Sequence, residues 1–166
     1  MIDLTPFAAQ GRFILGGSER WLRDLSDGHR AMEPIRGVKT AGWLVGHLAV
    51  TGDFGRRICG LKPMCPKEWR ALFNPGSHPS PDESVYPPMD ELRDMLRTVY
   101  RDLFASGPLA GHDTLELPNP FTPAISAFPT SGDFAAYLMT GHLGHHCGQL
   151  ASWHASAGLS RGDDPT

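Results

Sequence analysis

Several classes of function lack their raw material in this chain of 166 residues. There is no basic stripe: 15 Lys and Arg stand against 18 Asp and Glu, the formal net charge is −3, and neither sign gathers into a run. A phosphate-binding face needs clustered Lys and Arg, so no nucleic-acid partner is expected. No apolar run is long enough to span a bilayer, and Met1–Phe13 lacks the charged, apolar and small-residue regions of a secretory leader. The expectation is a protein of the cytoplasm with no membrane partner. Cysteine is scarce as well. Cys59, Cys65 and Cys147 form no CxxC pair and leave an odd thiol, which suits a reducing compartment better than a disulfide framework. Internal repeats, heptads and low-complexity tracts are all missing. What remains, 40% hydrophobic and 20% charged residues, is the composition of an ordinary globule. Its length suffices for one buried core. The chain reads as a single domain over 1–166, with its core from about residue 6 to residue 158.

Apolar periodicity predicts four helices. The first, about Pro6 to Ser26, puts Phe7, Ile14, Trp21, Leu22 and Leu25 on one stripe, with Thr5 as its cap and Pro6 in the first turn. The second runs from about Thr40 to Ile58, again behind a threonine. The third, about Met89 to Phe104, repeats Leu92, Leu96, Val99 and Leu103, with Asp90 and Glu91 well placed in its first turn. The fourth runs from about Ser131 to Ala157, and Gly158 is a natural stop. Gly141, Gly144 and Gly148 share one of its faces and predict close approach by another helix. The proline-rich stretches Gly60–Pro88 and Gly107–Thr130 are too long for tight turns. The first of them predicts a crossover between a parallel second and third helix. The fold class is therefore all-α, a four-helix bundle.

Gly141–Leu150, GHLGHHCGQL, carries three of the eight histidines within five positions of the fourth helix. His142 and His146 lie one turn apart on the same face, close enough for two imidazoles to share a metal ion. The sequence is not H-E-x-x-H, so the glutamate base of a metalloprotease is missing. Two ligands do not hold a catalytic metal. The best third candidate is His47, the one histidine of the otherwise apolar run from Thr40 to Asp53. His145 flanks the His142–His146 face, and Gln149 and Trp153 continue it; these three are candidates for the pocket around the ligands. His29, His78, His112 and His154 are expected to be solvated. Cys147 is rotated about 100° from His146 and should point away from the site. Arg161-Gly162-Asp163 spells an adhesion tripeptide in a polar tail and is assigned no function.

TAGWLVGHLAVTGDF together with HLGHHCGQL resembles the DinB/YfiT-like proteins, and the resemblance extends from about Phe7 to Gly158. The lone HxxxH spacing is common; the His47 context combined with HHxGQL is not. The resemblance implies a bundle of up-down-down-up order, a homodimer, and a divalent metal, zinc or nickel, held by His47, His142 and His146. It also implies a metal-dependent thiol-S-transferase, isomerase or hydrolase acting on a small molecule, with a low-molecular-weight thiol such as bacillithiol or mycothiol as possible cofactor. Cys147 departs from the family, which often has a large residue there. The competing expectation is a metal-binding or structural bundle protein without turnover. It would be favoured by a fourth protein ligand such as His145 or Asp53.

Overall fold

The computed structural model describes residues 2–159, so the Arg161–Asp163 tripeptide lies outside the described residues. Their regular structure is helical, and no helix among them is long and apolar enough to cross a membrane. Four long helical segments carry the fold: α1 (Thr5–Arg23), α2 (Ala41–Ile58), α4 (Met89–Ser106), and a final helix built from α6 (Ser131–Tyr137), a π turn (Leu138–His142) and α7 (Leu143–Ser156). Two short helices, α3 (Trp69–Phe73) and α5 (His112–Leu115), sit in the long links.

α2 is the enclosed centre of the bundle. Thr40 caps it by accepting the Trp43 backbone N–H, as its position in the sequence predicts. Nearly all of its side chains are buried, including Asp53 and Arg56, which pair with each other at 3.0 Å. α4 is amphipathic in the ordinary sense: Leu92, Leu96, Val99 and Leu103 are fully buried. A Cβ on Gly52 would meet Tyr100 and Val99, one on Gly55 would meet Leu103, and Arg56 Nε donates to Asp102 Oδ2 at 2.6 Å. Residue numbers rise together along this contact, so α2 and α4 run parallel. α1 opposes α4, since Arg12 Nη1 donates to Phe104 O at 3.1 Å while Arg93 Nη1 donates to Leu22 O at 2.9 Å. The final helix opposes α2, with Phe134 beside Phe54 and His142 beside His47.

Three expectations need correction. The cap of α1 is Leu4, not Thr5, because the Asp3 carboxylate two residues earlier accepts the Thr5 N–H at 2.9 Å and the helix begins there. The buried face of α1 is Ala8, Gly11, Ser18 and Leu22, while Phe7, Ile14 and Trp21 are only half-buried. Close approach selects small residues: a Cβ on Gly11 would lie 2.3 Å from the Phe104 ring and 2.5 Å from the Met139 carbonyl oxygen. The glycines of the final helix do the opposite. Gly141 and Gly148 are exposed, and a Cβ on Gly144 would meet only Ile14 Cδ1, at 3.8 Å. Among the described residues of neighbouring helices only Ile14 of α1 reaches that face, at ordinary contact distance, and α2 is more enclosed than the final helix. Gly148→Ala should therefore raise stability by up to about 1 kcal/mol through helix propensity alone. A thermal melt with an unchanged or lower midpoint would contradict an open glycine face.

Candidate metal centre

α2 contributes to the site along one stripe. Trp43 and His47 are one turn apart on one face, and Lys39 lies just before the Thr40 cap. They form a stack: the Trp43 and His47 rings lie 4.5 Å apart at 10°, and Lys39 Nζ sits 4.1 Å from the Trp43 ring centroid. The Trp43 indole N–H is fixed by Ser77 Oγ at 2.9 Å. His47 is buried, and its Nδ1 lies 2.6 Å from the carbonyl oxygen of Phe73 in α3. A carbonyl only accepts, so Nδ1 carries the hydrogen and the lone pair is on Nε2, facing the final helix.

Across the gap, His142 closes the π turn and His146 follows on the first turn of α7. Thr140 Oγ1 bonds back to the Ala136 carbonyl at 2.7 Å beside this irregularity. A π turn shifts the angular register of a helix, which sequence period cannot reveal. His47, His142 and His146 each offer one nitrogen, and those atoms all lie within 4.8 Å of one another. His146 Nδ1 is bonded to Gln149 Oε1 at 2.8 Å, which leaves its Nε2 as a lone-pair donor. The Nε2 atoms of His47 and His142 face each other at 3.3 Å, and His142 Nδ1 is buried without a hydrogen-bond partner. Three imidazoles, His47 and His146 buried and His142 half-buried, thus converge, each with one ring lone pair free to point into the cluster. That donor set fits a cation.

Electrostatics points the same way. Burial, helped by the nearby His146 and Lys39 charges and opposed by the Phe73 bond, lowers the His47 pKa to about 4. Burial and the neighbouring histidines lower His142 to about 3, and burial also lowers His146 despite its bond to Gln149. All three are neutral, and so competent to ligate, at pH 7. The sign for stability follows. The unfolded chain takes up these protons near pH 6.5 and the folded chain only well below it. The metal-free protein should be stable above about pH 6.5 and lose stability as pH falls from there toward about 3, the His142 value, by roughly 1.4 kcal/mol per unit of pKa depression that has been traversed. Urea midpoints at several pH values in wild type and His142→Gln would check it. An equal slope in both proteins would show that His142 does not contribute.

The other sequence candidates separate cleanly. Gln149 orients His146. His145 is exposed, with its ring 4.9 Å from that of His146, at the rim of the cavity described below. Trp153 does not line that cavity; it is buried elsewhere, its indole N–H donating to Met32 O at 3.1 Å. Trp153 is on nearly the same face as His146 but about 10 Å farther along the axis. Asp53 is engaged by Arg56 Nη1 at 3.0 Å and by the Met64 N–H at 2.8 Å, both on Oδ1. Cys147 points toward Ser18 of α1, away from the cluster. His154, expected to be solvated, is buried against Asp24, with Nε2 3.1 Å from Oδ2, and His29 is half-buried beside Trp153. His78 is exposed, but on the cavity wall.

The cluster opens onto a cavity of about 860 Å³. Both long links shape it. The first supplies Cys65, Arg70, Ser77 and His78; the second supplies Phe121, Ala124 and Phe128. The second link is held by buried Asn119, whose side chain donates to Phe128 O at 3.0 Å and accepts the Phe121 N–H at 2.9 Å. The Phe128 and Tyr137 rings stack at 4.5 Å, and those of Phe121 and Phe134 at 5.5 Å. Sequence reading had no sign of Trp43, Phe73 or Lys39 at the site. The i, i+4 spacing of Trp43 and His47 on α2 was the available signal. Cys65 is no nucleophile here, because burial, then the Asp53 charge, pushes its thiol up to about 12.

A sequence profile of the DinB superfamily matches residues 17–150, most of the chain. No curated protein and no solved structure matches it.

Proposed function

Because the chain belongs to the DinB superfamily, we propose that it is a metal-dependent enzyme acting on a small molecule, of the thiol-S-transferase or hydrolase type. The observation that carries this reading is the convergence of His47, His142 and His146 at the wall of a large cavity. These three residues would hold one divalent ion, zinc or nickel, for which imidazole is a suitable ligand. Bound there, the ion would supply Lewis acidity, lowering the pKa of a coordinated water or thiol and polarising an electrophile. The protein's own part is positional. Phe73 O and Gln149 fix the ring orientations of His47 and His146. The aromatic walls exclude water from the reacting groups, and no side chain is assigned as nucleophile.

A non-catalytic metal protein would be expected to fill the fourth position itself. Asp53 is committed to Arg56 and the Met64 N–H, and His145 is exposed at the rim, so neither favours that alternative. The low-molecular-weight thiol and the homodimer enter the proposal on the family resemblance alone. Metal analysis of protein purified without a histidine tag should find about one zinc or nickel per chain. A thiol-transfer assay with a panel of electrophiles should then show turnover that chelation abolishes. Stoichiometric metal with no turnover on any thiol or ester substrate would favour the structural alternative.

A further inference from the structure

The cavity has a polarity of its own, separate from the histidine cluster. One stripe of α2 lines it from Trp43 through His47, Val50 and Phe54 to Arg57. Arg57 lies ten residues beyond His47, about 15 Å along the helix axis. Its guanidinium is 5.8 Å from the Phe54 ring, and Phe54 meets Phe134 edge-on at 6.1 Å. Arg70, carried by α3, lines the same cavity at the level of Cys65, whose thiol feels the charges of Asp53, Arg56 and Arg70. Neither Arg57 nor Arg70 has an ion-pair partner among the described residues. Asp53 is the one carboxylate lining the cavity among them, and it is already held by Arg56 and the Met64 N–H. Lys39, beyond the Trp43 ring, adds a further positive charge on the histidine side.

A cavity with cations, no available anion and an aromatic wall is built for a ligand that carries the missing charge. We propose that it takes small organic anions with an aromatic body, the ring against Phe54, Phe134 and Phe128 and the carboxylate held by Arg57 and Arg70. The pairing follows from chemistry. A planar guanidinium matches a carboxylate in two parallel hydrogen bonds, and an apolar wall beside it strengthens the charge interaction. The ligand's opposite end then points toward His47 and His142. As the substrate class of the proposed enzyme this rests on the metal reading; as a binding property of the cavity it does not.

The test is calorimetric titration of the full chain, dialysed against chelator, with cinnamate, cinnamamide and cinnamylamine. Cinnamate should bind about tenfold or more tightly than its amide, with an affinity that falls as salt is added, and the amine should bind least. Arg57→Gln and Arg70→Gln should each remove most of the preference for cinnamate over cinnamamide. Arg101→Gln, an exposed residue of α4 outside the cavity, should leave it intact. Equal binding of acid and amide, or binding of neither, would overturn the proposal. So would cinnamate binding that appears only after zinc is added, since the carboxylate would then be a metal ligand. A chain that takes no metal yet binds cinnamate through both arginines would refute the metal reading and leave this inference standing.

Discussion

Replacing His47, His142 or His146 with alanine should each weaken divalent-metal binding by more than about 100-fold, while His145→Ala should cost far less. Loss of an outer hydrogen bond to a ligand already costs about 10–100-fold, and loss of a ligand leaves two imidazoles that cannot close the site. His145 should behave differently because it is exposed and only neighbours the His146 ring. The three variants should stay folded. His142 Nδ1 has no bond to lose, and the His47 and His146 variants each give up one, to Phe73 O and to Gln149. Competition with a chromogenic chelator, with circular dichroism as the control for folding, measures both quantities. Stoichiometric tight binding in folded His47→Ala would remove α2 from the site and reduce the centre to the final helix alone.

The convergence of the three histidines was legible because their spacing is a helical property. His142 and His146 are four apart, and His47 is a polar residue in a run that is otherwise apolar; both are facts of a single helix. The long helices were legible for the same reason, since α4 carries one clean stripe and α2 a visible cap. What the sequence could not display are relations between helices. The π turn that ends at His142 leaves no compositional trace, and the face of Gly141, Gly144 and Gly148 is open because little packs against it. Trp153 fell out of the pocket because it lies about 10 Å farther along α7 than His146. The Phe73 carbonyl is a backbone group in a proline-rich link, so no residue type announces it. His154 was misjudged because its partner, Asp24, is 130 residues away. Small residues misled in both directions: Gly11 is a site of tight contact, whereas Gly148 faces open space.

That contrast sets the second large expectation, at Gly46. The residue immediately before His47 has no side chain, and a Cβ placed there would lie 2.5 to 2.6 Å from three atoms of the Phe73 ring. Phe73 is fully buried, with its ring beside Trp69 and Tyr86, so it has no free direction in which to swing. The methyl of Gly46→Ala would have to displace α3 from α2. Overpacking of this kind costs about 1–3 kcal/mol, which outweighs the roughly 1 kcal/mol that alanine gains in helix propensity. The displacement also moves the Phe73 carbonyl, the acceptor that fixes the tautomer and angle of His47. Gly46→Ala should therefore lower the melting temperature and weaken metal binding by about 10–100-fold, although the residue touches no ligand atom. Phe73→Leu in the same background should relieve the clash and recover much of both losses, because the carbonyl stays while the ring goes. If Gly46→Ala lost stability but bound metal as tightly as the parent, the His47–Phe73 bond would be a packing detail and not part of what prepares the site.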